Sequence, residues 1–165
     1  MRNYFEISTT WAGTSTISSE DLTIQVMKFL LDIADVNFEL FGTWWPTTDD
    51  PAKADSTRKI SARGMDQKFI PLIEYLINSS TDDQVPEIGS RFSLWNGLDD
   101  SLDGGTTFRL NSTHQDTKNR IELAFKTGPE PYKVSEDDIS KIVVAFKKSW
   151  PVTKVEVTKK TLPQL

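Results

Sequence analysis

The chain has 165 residues and a formal net charge of −5, and its size suits one ordinary domain with a real core. Hydrophobic residues make up 37% of the sequence and charged residues 26%, a balance that excludes an intrinsically disordered chain. The absence of cysteine excludes disulfides, thiol catalysis and thiolate metal sites. We predict a single domain over residues 1–165, and its negative charge disfavours direct binding to nucleic acid.

The sequence contains no recognisable targeting or membrane signal. Its first residues, Met1–Ile7, lack the apolar run of a secretory signal. The longest apolar stretches fall far short of the roughly 20 residues that span a bilayer. We therefore expect a cytoplasmic protein that makes no contact with a membrane.

The N-terminal half predicts one strand and two helices. Alternating apolar and polar residues over 4–11 are typical of a half-buried strand. Ser18 and Asp21 form a capping-box pattern that opens a helix. The predicted apolar face of this helix is Leu22, Val26, Phe29, Leu30 and Ile33. Aromatic, polar and turn-forming residues over 38–64 predict a long connection, and a second helix is expected at about 66–78.

The C-terminal half predicts three short strands, a third helix and a last strand. Turn formers separate the strand segments and suggest an antiparallel meander of 91–95, 106–111 and 120–126. Ser135 and Asp138 form a second capping-box pattern, and Pro151 ends the helix that it opens. A last strand is predicted at 153–158. This order predicts an α+β fold, with an antiparallel sheet of about five strands and three helices packed mainly on one face.

No pattern in the sequence indicates a catalytic or metal site. The only histidine, His114, lies in a polar stretch, which is typical of a surface loop rather than of a hydrolase triad. The carboxylates that could in principle form an acid–base pair include Glu74, Asp99, Asp100 and Glu122, but their spacing shows no constellation. We therefore predict a protein that is not an enzyme and that needs no cofactor and no metal ion. An enzyme with an unusual carboxylate site is an alternative.

Two segments carry residues that are typical of protein-binding surfaces. One is a tryptophan pair in the long connection, and the other is a strand end followed by an acidic turn. Tryptophan is enriched in interface hot spots, and an acidic rim complements a basic partner. The candidate binding residues are Trp44, Trp45, Trp95, Asn96, Asp99, Asp100 and Asp103.

The same residues have other interpretations. Trp95 could close the core, and Asn96-Gly97 is typical of a turn that needs a positive φ. Trp44 and Trp45 could instead form a platform for a carbohydrate or a peptide. These alternatives stay open at the level of the sequence.

One stretch of the sequence resembles a known family. Residues 91–100 contain Ser-Leu-Trp-Asn-Gly followed by an acidic pair, and they resemble the most distinctive stretch of the immunity protein 52 family. The Thr-Trp-Ala-Gly segment at 10–13 is similar to an aromatic-Trp-Gly turn of that family, and Trp150-Pro151 also fits its pattern. The resemblance extends over residues 4–151.

The resemblance implies a function in bacterial competition. Members of that family are encoded beside polymorphic toxins and neutralise a cognate toxin in the cytoplasm. Their toxins are often nucleases with a restriction-endonuclease-like fold, delivered by type VI or related secretion systems. The implied partner is thus the toxin encoded by the neighbouring gene, and the oligomeric state stays open.

Overall fold

The computed structural model places seven strands and three helices with defined bounds in the part of the chain that it describes. The described residues are 2–12, 19–47, 59–62, 70, 71, 73, 75, 90–98, 103–112, 118–150, 152 and 154–163. The strands are β1 (Asn3–Ala12), β2 (Thr43–Pro46), β3 (Ile60–Ser61), β4 (Ser90–Trp95), β5 (Thr106–Ser112), β6 (Lys118–Lys126) and β7 (Glu156–Thr161). The helices are α1 (Ser19–Val36), α2 (Phe38–Phe41) and α3 (Glu136–Ser149). Within these ranges, no helix is both long enough and apolar enough to cross a bilayer.

The strands form one antiparallel sheet in the order β3-β2-β4-β5-β6-β1-β7. The predicted α+β class and its antiparallel sheet are thereby confirmed, whereas the described strands number seven instead of about five. β4, β5 and β6 form the predicted meander. β1 lies between β6 and β7, so the N-terminal strand is interior to the sheet.

Three elements lie inside the segment 38–64, for which the sequence predicts a long connection. They are α2, β2 and β3, and each has four residues or fewer. β2 pairs with β4, which is distant in sequence, so its extended conformation depends on a partner that periodicity does not reveal. The last strand also differs from its prediction at 153–158, because pairing with β1 places β7 at Glu156–Thr161.

The three predicted helices are matched only in part. The predicted apolar face of α1 is buried at Leu22, Val26, Phe29, Leu30 and Ile33. Within the predicted helix at 66–78, Ile70, Pro71, Ile73 and Tyr75 are helical, and Ile73 is fully buried. Asp21 lies in the first turn of α1, whereas Ser18 of the same capping-box pattern and Phe69, Leu72 and Leu76 of the second predicted helix lie outside the described residues.

α1 and α3 pack on one face of the sheet around Phe29. The Phe29 ring centroid lies 4.7 Å from that of Phe146 in α3, 4.9 Å from that of Trp150 and 5.7 Å from that of Phe108 in β5. All four side chains are buried. Because each aromatic side chain removes about 150–250 Å² from water, this cluster is a major part of the core. We call the opposite side of the sheet the outer face.

The start of α3 depends on the predicted capping box. Ser135 Oγ accepts a hydrogen bond from the Asp138 N–H at 3.1 Å, and Asp138 Oδ2 accepts one from the Ser135 N–H at 2.9 Å. We expect Ser135→Ala to lower the free energy of unfolding by about 1 kcal/mol, because it removes an N-cap acceptor. Urea unfolding measures this change. Ser140→Ala is the matched control at an exposed position inside the same helix. It removes an exposed hydrogen bond to the Glu136 carbonyl and gains helix propensity, so it should change stability by less than about 0.5 kcal/mol.

Candidate binding surface

Side chains along each strand alternate between the core and the outer face. Trp44, Leu94 and Phe108 point into the core and are fully buried. Their neighbours along the same strands point to the outer face and are half-buried or exposed. The described outer-face residues of the central strands include Trp45, Trp95, Thr107, Arg109, Glu122, Ala124 and Glu6. The centre of the outer face is therefore partly accessible.

Trp45 and Trp95 form a pair on the outer face, which we call the tryptophan pair. They are directly opposite each other in the ladder between β2 and β4, and both are half-buried. Lys59 Nζ lies 5.5 Å from the centre of the Trp45 ring, which is a cation–π geometry. Opposed residues on antiparallel strands have Cβ atoms about 4.5–5.5 Å apart. The register therefore places two large aromatic side chains in a single patch.

A network of ion pairs lies further along the same face. Glu122 Oε2 lies 3.0 Å from Arg120 Nη2, and Glu122 Oε1 lies 3.7 Å from Arg109 Nη1. Arg120 Nη2 also lies 3.7 Å from Glu6 Oε1. Exposed pairs of this kind contribute little to stability. They do fix the position of charged groups, and the Arg109 side chain remains 67% exposed.

The tryptophan pair is linked to this network through the ladder between β4 and β5. Trp95 is opposite Thr107, and Ser93 is opposite Arg109. Ser93 Oγ also lies 2.9 Å from Thr47 Oγ1, a hydrogen bond that connects β4 to the end of β2. The outer face thus combines aromatic rings, hydroxyl groups and arginines, a combination suited to recognising a protein surface.

Trp44 has a different position from the one expected of a contact residue. Its side chain is 0% exposed, and its Nε1 donates a hydrogen bond of 2.9 Å to the Phe41 carbonyl. Because consecutive residues of a strand point to opposite faces, Trp44 and Trp45 do not form a common platform. Trp44 is therefore a core residue, and the accessible neighbour of Trp45 is Trp95.

Asn96 also has a structural position. Its Nδ2 donates hydrogen bonds to the Gly104 carbonyl at 2.6 Å and to the Leu40 carbonyl at 3.2 Å. Its Oδ1 accepts from the Leu98 N–H at 3.2 Å and from the Thr106 N–H at 3.1 Å. The buried amide thereby joins the end of α2 to both sides of the β4–β5 connection. Its polar atoms are directed at the backbone and not at a partner.

The turns on either side of this connection need glycine. Gly97 has a φ of 85°, as the turn interpretation of Asn96-Gly97 predicts. Gly104 has a φ of 87°, and a Cβ placed there would lie 2.6 Å from the Tyr132 ring. These two glycines set the path of the chain before and after the acidic turn.

Asp103 is already engaged within the chain. Arg2 Nε donates a hydrogen bond to Asp103 Oδ1, and both side chains are more than two-thirds buried. Arg2 Nη1 also donates to the Pro163 carbonyl at 3.2 Å. Asp103 therefore ties both ends of the described chain to the β4–β5 connection, and its charge is balanced by Arg2.

Several sequence candidates lie outside the described residues: Asp99, Asp100, Glu74 and His114. The role of the acidic pair therefore stays a prediction. Among the described residues, no group of three or more His, Asp or Glu side chains is placed to hold a metal ion. Glu122, the remaining candidate for acid–base chemistry, is held between two arginines.

Lys59, Arg109 and Arg120 are surface residues that the sequence does not single out. A signal for the two arginines exists in the alternation of polar and apolar residues along β5 and β6. That alternation places them off the core. It does not reveal that Arg109 of β5 is opposite Glu122 of β6, because strand register is not visible in the sequence.

Comparisons with known proteins give no match. No model of a protein family matches the chain. A search of curated proteins finds no match either. The functional inference therefore rests on the chain's own residues, on its geometry and on the resemblance of the 91–100 stretch.

Proposed function

We propose that this protein is an immunity protein that binds and neutralises a cognate antibacterial toxin. The observation that carries the proposal is the tryptophan pair, two half-buried rings opposed on the outer face. Interface hot spots are enriched in tryptophan and arginine, and Arg109 lies one strand away from the pair. The motif that resembles the immunity protein 52 family contains Trp95 itself.

The affinity needed to neutralise a toxin can be supplied by a surface with aromatic anchors. A toxin that kills at low copy number must be almost fully occupied, which requires nanomolar affinity or about −12 kcal/mol. An interface of roughly 1,600 Å² reaches this when a few aromatic anchors are desolvated at its centre. We assign that anchoring role to Trp45 and Trp95, with the arginine–glutamate network at the rim.

Charge supports a basic partner such as a nuclease. The chain has a net charge of −5, which acts on a partner through its long-range field. The exposed acidic residues of α1 (Glu20, Asp21, Asp32 and Asp35) contribute to this field from the side of the sheet opposite the tryptophan pair. A negative field attracts a protein whose active cleft is built to hold phosphates, and it raises the association rate. We therefore propose a nuclease toxin of restriction-endonuclease-like fold, delivered by type VI or a related secretion system and met in the cytoplasm.

The test uses the product of the neighbouring gene. The wild-type protein is expected to form a complex of nanomolar affinity with it and to restore growth of cells that express it. Trp45→Ala and Trp95→Ala are each expected to weaken the complex at least about tenfold, because each removes an aromatic anchor. Titration calorimetry on purified proteins measures the affinity, and urea unfolding verifies that each variant is folded.

Two variants serve as controls. Tyr75→Ala removes a 61% exposed aromatic side chain outside the sheet and should bind like the wild type. Trp95→Phe keeps an aromatic ring and loses a buried N–H that has no acceptor among the described residues, so it should bind nearly as well. Full binding by Trp45→Ala and Trp95→Ala would show that the tryptophan pair is not part of the interface. Failure of the wild type to bind or rescue would refute the function itself.

A further inference from the structure

β7 is an edge strand whose outward side is unpaired in the described part of the chain. All six residues from Glu156 to Thr161 are exposed, and the strand pairs only with β1 in the sheet order. Val157 is one of the large apolar side chains at the surface, with 44% of it exposed. An exposed edge presents a row of backbone donors and acceptors that can pair with another strand.

The pairing with β1 determines which backbone groups point outward. The Leu162 N–H donates to the Arg2 carbonyl at 2.9 Å, so this opposed pair points its polar groups into the sheet. Hydrogen-bonded and non-hydrogen-bonded pairs alternate along an antiparallel ladder. The N–H and carbonyl groups of Val157, Lys159 and Thr161 therefore point away from β1.

We propose that β7 pairs with β7 of a second copy of this chain, in an antiparallel ladder centred on Thr158. In this register Val157 exchanges both backbone hydrogen bonds with Lys159 of the second copy. Glu156 is opposite Lys160 of the second copy, and the two-fold symmetry repeats this attractive pair. The side chains of Glu156, Thr158 and Lys160 share the outer face, since they are opposite Ser8, Glu6 and Tyr4 of β1.

Charge selects this register over its neighbours. The residues whose backbone groups point away from β1 must be opposite one another, so the allowed registers differ by a shift of two residues between the strands. A shift of two residues in one direction places Lys159 opposite Lys159 of the second copy. A shift of two residues in the other direction places Lys160 opposite Lys154 of the second copy. Like charges directly opposite each other are destabilising. Repulsion between lysines therefore disfavours both shifted registers and favours the one centred on Thr158.

A cysteine cross-link tests the register directly, because the chain has no cysteine of its own. In the proposed ladder Thr158 is opposite itself in a non-hydrogen-bonded pair, with Cα atoms about 4.5 Å apart, within the range of a disulfide. Thr158→Cys should therefore form a covalent dimer under mild oxidation. Thr161→Cys is the matched control, since it replaces the same residue type in the same strand and leaves the Glu156–Lys160 pair intact. Its Cα would lie about 20 Å from its counterpart along the strands, so it should form no covalent dimer.

Charge reversal tests the same contact in solution. Sedimentation velocity over a concentration series is expected to show a reversible, weak dimer, as a small edge interface implies. Glu156→Lys should weaken this dimer at least about tenfold, because both symmetry-related pairs become repulsive. The double variant Glu156→Lys/Lys160→Glu reverses both signs and should restore dimerisation.

The outcomes separate the alternatives. A wild-type protein that stays monomeric at every concentration would overturn the proposal, as would equal cross-linking of both cysteine variants or failure of the double variant to restore the dimer. A dimer whose formation does not depend on the charges of residues 156 and 160 would also overturn the proposal, because its contact would lie outside β7. None of these readouts involves a toxin, so they are independent of the proposed function.

Discussion

Replacing Asn96 by alanine is expected to lower the free energy of unfolding by about 3 kcal/mol. The side chain is only 9% exposed and makes four hydrogen bonds, all to backbone groups. Its loss removes the side-chain acceptor of the Thr106 N–H and a donor to each of the Leu40 and Gly104 carbonyls, of which the Gly104 carbonyl still accepts from Thr106 Oγ1 at 3.0 Å. Buried polar groups that lose a partner cost about 1–3 kcal/mol each, which makes this one of the largest single-residue effects available.

The measurement is urea unfolding monitored by tryptophan fluorescence. Asn111→Ala is the matched control, since Asn111 lies on the neighbouring strand β5 and its buried Oδ1 has no hydrogen-bond partner among the described residues. It should cost less than about 1 kcal/mol. Equal losses for the two variants would show that Asn96 is not the residue that holds the β4–β5 connection to α2.

The elements that could be predicted from the sequence are those with an uninterrupted period. β1 alternates over its length, and α1 repeats apolar residues at helical spacing, so both were accessible to pattern alone. The capping box at Ser135 predicted the start of α3 for the same reason, because its hydrogen bonds are local. Local patterns of this kind determine local structure.

The elements that could not be predicted depend on partners distant in sequence. β2 and β3 are too short to show a period, and they are strands because β2 pairs with β4 and β3 with β2. The start of β7 is likewise set by its register on β1 and not by its own alternation. Contacts between distant segments determine these elements, and a single sequence does not display such contacts.

The candidate site illustrates the same division. The residue types were found, since Trp45 and Trp95 are both on the outer face. The position of Trp45 opposite Trp95 could not be predicted, because it follows from the register of β2 and β4, which a long segment separates in the sequence. Asp103 was expected to meet a partner, but the ion pair with Arg2 depends on the chain's N-terminus reaching the β4–β5 connection. The sequence therefore predicts the residue types of the surface, whereas the pairing of distant strands determines which of these residues lie next to one another.

The same substitution should therefore destabilise the protein to different extents at the two adjacent tryptophans. Trp44→Ala is expected to lower the free energy of unfolding by about 4 kcal/mol, because it empties a fully buried site and removes the hydrogen bond to the Phe41 carbonyl. Trp45→Ala should cost only about 1 kcal/mol, since the Trp45 ring is half-buried and its ring contact among the described residues is the cation–π contact with Lys59.

Urea unfolding of the two variants measures this difference, and each serves as the control for the other because the residue type and the strand are the same. Substitution of the core position should lower stability, whereas substitution of the outer-face position should lower affinity for the proposed toxin partner. Similar stability losses would mean that the Trp45 ring is as essential to packing as the Trp44 ring. In that case a loss of binding by Trp45→Ala would reflect unfolding, and the tryptophan pair could no longer be assigned to the interface.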